Sequence, residues 1–148
     1  MRLLPIAKIA TCRHCNRNFL SFLGANLKIE QRKHPRYKVP STLLVRFRAA
    51  REQFAKIQNI SRGGLSFSYN FDLQKLASSS LKIDIYNCEQ GTYLENLPIR
   101  ILANRIMIQK VGDKSTTIMK NAAQFESLNR VQRKLLDEFI QRYAIKEV

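Results

Sequence analysis

Acidic side chains are scarce in this chain: 11 Asp and Glu stand against 26 Lys and Arg, a formal net charge of +15 over 148 residues. The first 28 residues hold no acid at all. Such an excess favours phosphate-bearing partners or anionic surfaces without choosing among them. Cysteine is sparse too. Cys12, Cys15 and Cys88 form an odd set, which excludes a secreted disulfide framework and fits a reducing cytoplasm. No apolar run approaches the roughly 20 residues that a membrane-spanning helix needs. The opening MRLLPIAKIATC has the outline of a signal peptide, but Pro5 and Lys8 break its apolar core and Thr11 is a poor cleavage residue. The expectation is a cytoplasmic protein with no membrane span, and a length that suits a single core.

The positive charge is focused. Residues 31–60 hold eight Lys or Arg against one acid, Glu52, whereas residues 61–90 hold three of each sign. Arg46, Arg48, Arg51 and Lys56 read as a solvated strand edge, where cations also block unwanted pairing.

Three regions follow from the residue pattern. In residues 1–28 the apolar Phe19, Leu20, Phe22, Leu23 and Leu27 recur at roughly helical spacing, which predicts a short helix in an N-terminal arm. From Val39 onward, LLVRFRA, FAKIQNI, GLSFSY, LKIDIY, PIRILANRIMI and STTIMKNAAQF alternate apolar and polar residues between turn formers. About six strands with short connections predict a mainly β domain: a small antiparallel six-stranded β-barrel or a sandwich. After Phe125, Leu128, Val131, Leu135, Leu136, Phe139, Ile140 and Tyr143 step by three and four, which predicts a C-terminal amphipathic helix with Ser127 as its N-cap.

Two stretches carry the chemistry. QRKHPRYKV, residues 31–39, places Arg32 and Arg36 four apart with Lys33, His34 and Pro35 between them. NISRGGLSF, residues 59–67, joins two predicted strands. The second stretch suits an ordinary hairpin turn in which Gly63 and Gly64 supply positive φ. It equally suits a polar shelf, because Asn59 and Ser61 can share one side of a strand and Gly64 admits another group close to its backbone. A guanidinium fork matches a phosphate or the O6/N7 edge of guanine, and its flat face stacks on a base. Asn59 can accept from guanine's ring N–H or amino group, and Ser61 can donate or accept. A ligand with phosphates and guanines would use all of these groups.

Arg-x-x-x-Arg followed by Asn-x-Ser-x-x-Gly resembles the PilZ family of bacterial cyclic di-GMP receptors, and the strand-rich pattern with its terminal helix extends the resemblance over residues 29–148. Residues 1–28 form the remaining arm. The resemblance implies that Arg32 and Arg36 grip the phosphates and a guanine edge, while Asn59, Ser61 and Gly64 hold the other face of a guanine. Gln31, Lys33, His34 and Gly63 are further candidate contacts. Many members of the family carry an arginine at the position of Gln31, where it helps to hold a second ligand molecule. Its absence implies one ligand per chain.

The function implied is a cyclic di-GMP receptor whose basic loop orders on binding and signals to a protein partner that the sequence does not name. A nucleic-acid-binding barrel, or a protein adaptor with the same fold, are the alternatives; nucleic acid is disfavoured because Tyr37, Phe47 and Phe54 suit core packing as well as base stacking. Cys12-Arg13-His14-Cys15 lacks the second ligand pair of a zinc site. The acids Asp72, Asp84 and Asp113 have no evident partner for acid–base work. The sequence therefore predicts no enzyme, no metal and no cofactor beyond the nucleotide ligand.

Overall fold

The computed structural model describes residues 8–11, 18–22, 25–28, 33–48, 52–73, 76 and 78–146. The chain divides into two compact units, residues 1–33 and 34–148, five residues later than the 28/29 boundary read from the sequence. In the first unit, β1 (Lys8–Thr11), β2 (Asn18–Phe22) and β3 (Ala25–Lys28) form an antiparallel sheet in that order. This corrects the short helix expected there. Leu20 pairs with Ile9 on one side and Leu27 on the other, so the apolar residues align across strands rather than along a helix. A five-residue segment with two phenylalanines is too short for a helix to persist on its own and has strong β-propensity.

The second unit contains β4 (Tyr37–Lys38), β5 (Leu43–Phe47), β6 (Gln53–Ser61), β7 (Gly64–Asn70), β8 (Ser80–Asn87), β9 (Gly91–Val111), β10 (Lys114–Phe125), α1 (Arg130–Tyr143) and β11 (Ile145–Lys146). Each of the six strand-like runs of the sequence contains a strand. β5 to β10 are antiparallel and close into a ring of six, in the order β6-β5-β8-β9-β10-β7, with β7 pairing back onto β6. Period-two alternation explains the filling of this ring. Leu43, Val45 and Phe47 of β5, Leu65, Phe67 and Tyr69 of β7, and Ile83 and Ile85 of β8 are all buried.

Helix α1 adds Leu136 and Phe139 to the same core, with the Phe139 ring 5.4 Å from that of Tyr93. Its N-cap is Asn129, which corrects the expected Ser127. The Asn129 side chain accepts from the Gln132 N–H at 2.8 Å, and the Gln132 side chain accepts from the Asn129 N–H at 3.1 Å. This reciprocal capping box satisfies two donors at once. Ser127, with φ 44°, belongs to the bend that precedes it. Among the described residues, no helix is long and apolar enough to cross a membrane.

Candidate ligand-binding site

A bulge in β6 decides where the polar residues of the turn point. Ala55 and Ile57 face the core, and regular alternation would then turn Asn59 and Ser61 inward as well. Instead the pairing with β7 shifts between Ile57, opposite Phe67, and Asn59, opposite Ser66. Gln58 is the additional residue, and its side chain donates to Ser68 Oγ at 2.7 Å. The shift changes the phase of the strand. Ile60 is therefore fully buried, and alternation sets its neighbours on the other face of the strand, Asn59 half-buried and Ser61 8% exposed.

The segment carrying Arg36 runs beside this turn. Tyr37 of β4 pairs with Ile60, midway between Asn59 and Ser61, and Lys38 pairs with Ile145 of β11. Arg36 thus sits one residue before the strand that flanks the motif. It is exposed, and no described acid pairs with it. The ring of His34 covers the turn itself: its Cδ2 lies 3.1 Å, and Ser61 Oγ 3.9 Å, from the point where a Cβ on Gly63 would stand. The structure so brings together Arg36, His34, Asn59, Ser61, Gly63 and Gly64. Gln31 and Arg32 lie outside the described residues. Lys33 is exposed and belongs to the first unit.

The two glycines serve different ends, and neither has the positive φ expected of a turn glycine. A Cβ on Gly64 would fall on the Ala123 carbonyl oxygen and lie 3.1 Å from Gln124 Cα. The group that Gly64 admits is therefore the backbone of β10, which closes the ring. Ser61 Oγ donates to the Gly64 carbonyl at 3.2 Å and accepts from the Gly63 N–H at 3.3 Å. With its proton committed, the hydroxyl retains an acceptor lone pair for a ligand N–H. The Asn59 side chain has no hydrogen-bond partner among the described residues, so both its donor and its acceptor are available. Arg62, at the tip of the turn, pairs with Asp137 of α1 at 2.7 Å.

A second cluster was not anticipated. Asp84 is fully buried on the outer side of β8, where it accepts from Arg46 Nη2 at 2.8 Å, Arg48 Nε at 2.8 Å and the Asn96 N–H at 2.8 Å. Arg46 also lies 5.5 Å from the centre of the Tyr86 ring. This corrects the reading of Arg46 and Arg48 as merely solvated and of Asp84 as unpartnered. Burial on its own would push the Asp84 carboxyl up, but the hydrogen bonds from Arg48, the Asn96 N–H and Arg46 outweigh it and hold the carboxyl below its ordinary range. Arg46 and Asp84 are paired positions on neighbouring strands, 38 residues apart in the chain, and only a correct β5–β8 pairing would have joined them. Arg51 and the Cys12–Cys15 stretch lie outside the described residues. Among the described residues, no group of His, Cys, Asp and Glu has the arrangement of a metal site.

The PilZ domain model matches residues 30–142. Several solved structures share the fold. The PilZ domain of YcgR from Escherichia coli, solved with c-di-GMP, has a TM-score of 0.59 at 13% identity, covering 76% of this chain and 90% of that one. MrkH, a c-di-GMP-dependent transcription regulatory factor from K. pneumonia, has a TM-score of 0.57 at 15% identity; the match covers 91% of this chain and 61% of MrkH. The inhibitor of motility MotI from Bacillus subtilis has a TM-score of 0.50 at 17% identity, covering 92% and 64%. This chain spans less than two thirds of the latter two proteins. No curated protein matches it by sequence. The fold, the paired motifs and a family match over well above half its length agree: the chain belongs to the PilZ domain family.

Proposed function

We propose that this protein is a receptor for cyclic di-GMP and carries out no catalysis of its own. The observation that carries the reading is the meeting of the two motifs. β4 pairs Tyr37 with Ile60, and His34 covers Gly63, so residues 34–37, with Arg36 among them, lie along the Asn59–Gly64 turn. Arg36 is proposed to hold a ligand phosphate and the O6/N7 edge of a guanine with its planar fork. Asn59, with both amide functions available, reads the ring N–H and amino group of a guanine. Ser61 accepts from the base, because its proton is directed to the Gly64 carbonyl. Arg32 is assigned to the second phosphate on the sequence motif. The YcgR domain and MrkH have both been solved with c-di-GMP, which supports carrying the same ligand to this chain.

The signal is proposed to start in the basic loop. Lys33 and Arg36, together with Arg32, repel one another until phosphates neutralise them, and Pro35 restricts the loop to few conformations. Ligand then holds the loop against the shelf. Because β4 is flanked by β6 and β11, and Arg62 is tied to α1, the ordered state acts on the C-terminal helix and strand, where a protein partner can sense it. Isothermal titration calorimetry with cyclic di-GMP and cyclic di-AMP tests the reading. Heat is expected from the first alone, since adenine lacks the O6 acceptor and the amino donor at position 2; equal heats from both would overturn it.

A further inference from the structure

The hairpin of β9 and β10 projects beyond the ring. β8 pairs with β9 only as far as Arg100, and the Ile101 N–H donates to the Ser79 carbonyl; past that point, no described strand flanks Leu102 to Val111. On the other side, β7 pairs with Ile118 to Gln124, and the Thr117 carbonyl accepts from the Phe71 N–H. The tip is therefore a ribbon two strands wide. Yet it displays Ile106, 57% exposed, Ile108, 70% exposed, and Val111, 68% exposed. A two-stranded ribbon alone in water is marginal, and an apolar unpaired edge is a template for another strand.

The geometry of that edge is defined by its turn. Gly112, with φ 61°, begins a two-residue connection closed by Val111 and Lys114. In such a hairpin the closing pair is hydrogen-bonded and the pairs then alternate. The backbone groups of Arg105, Met107 and Gln109 consequently face β10, and those of Asn104, Ile106, Ile108 and Lys110 face outward. The outward Thr117 carbonyl, taken up by Phe71, agrees with this phase.

We propose that β9 pairs with β9 of a second copy of this chain, antiparallel about a two-fold axis at Met107, so that two hairpins become one four-stranded sheet. The edge is self-complementary about that residue. Ile106 meets Ile108, Met107 meets Met107, Arg105 meets Gln109 and Asn104 meets Lys110, with no cation opposite a cation. Other positions of the axis fit less well. Centred on Ile106, the pairing sets Ile108 against Asn104; centred on Ile108, it sets Ile106 against Lys110; centred on Arg105, it opposes two guanidiniums. The net charge of each copy opposes association, and salt screens that repulsion. Dimerisation is therefore promoted by salt, whereas docking of an acidic strand from another protein would be weakened by it.

Light scattering across protein concentration in low salt and in about 0.5 M salt tests the proposal. The mass is expected to rise from 17.2 kDa towards twice that value, and at lower concentration when salt is high. A monomer at every concentration and salt level overturns it. Cross-linking locates the interface, in a chain whose Cys12, Cys15 and Cys88 are replaced by serine. Met107→Cys should oxidise to a covalent dimer. Gln109→Cys should not, because its two copies stand four residues out of register, about 13 Å apart. Equal cross-linking of both refutes the axis. Ile106→Lys with Ile108→Lys, checked for folding by circular dichroism, should be monomeric; a dimer that survives the pair of changes lies on another surface and overturns the proposal.

Discussion

The Arg62 guanidinium meets the Asp137 carboxylate at 2.7 Å, joining the turn that presents Asn59 and Ser61 to the middle of the C-terminal helix. The Arg62 side chain is largely exposed and that of Asp137 partly so, and such a pair contributes at most about 1 kcal/mol to stability. Its value is as a connection. Cyclic di-GMP is expected to slow amide exchange across residues 130–143 in the unmodified protein. Asp137→Ala should leave affinity nearly unchanged while reducing that protection. Helix amides indifferent to ligand in the unmodified chain would remove this route from the signalling account.

Arg36→Ala should weaken cyclic di-GMP binding by about 1.5 to 3 kcal/mol, the scale of a hydrogen bond to a charged group. Calorimetry should also give a ratio near one ligand per chain, rising towards two in Gln31→Arg. Wild-type affinity in both Arg32→Ala and Arg36→Ala would place the ligand elsewhere.

Gly64 and Gly63 should respond differently to alanine. At Gly64 the new methyl collides with the β10 backbone at Ala123, which cannot yield without parting two strands, so Gly64→Ala is expected to lose about 1 to 3 kcal/mol of stability. At Gly63 it meets the edge of the His34 ring, which can swing aside. Gly63→Ala should therefore keep its urea midpoint and alter ligand affinity. Equal midpoints for the two variants would contradict the assignment.

Asp84 should make the protein acid-sensitive. Its folded pKa lies below the unfolded value of about 3.9. The resulting stability is fully present above that value and is lost as pH falls through the folded pKa. At neutral pH, Asp84→Asn should be less stable by about 1.5 to 3 kcal/mol, and the gap should shrink on acidification. Urea midpoints for both chains at neutral and strongly acidic pH measure it; a constant gap would mean that ionisation of Asp84 is not what stabilises.

Strands were legible wherever one face is apolar and the other wet, as in Leu43–Phe47 and Gly64–Asn70, because period two is a local property. The motif could be read for the same reason: all of its residues lie in two short stretches. What escaped depends on distant partners or on local competition. The Asp84 cluster needs β8 beside β5. The arm sheet needs Leu20 flanked by Ile9 and Leu27. The helix start was set by the reciprocal bonds of Asn129 and Gln132, against which Ser127 had only its hydroxyl. The bulge at Gln58 did leave a trace in the sequence, since the buried residues of β6 step from Ala55 to Ile57 and then to Ile60, out of phase.

The ring is made of two local meanders, β5-β6-β7 and β8-β9-β10, each strand reaching the next through a short connection, and two distant pairings, β5–β8 and β7–β10, join them. Local contacts form quickly, whereas distant ones wait on the entropy of closing long loops. The Asn59–Gly64 turn is therefore expected early in folding, inside the first meander, before either seam exists. Gly64 is different: it belongs both to that turn and to the β7–β10 seam. A side chain there would leave the early hairpin intact and obstruct the last act of assembly, so its damage should appear in the folding rate and in the yield of closed rings.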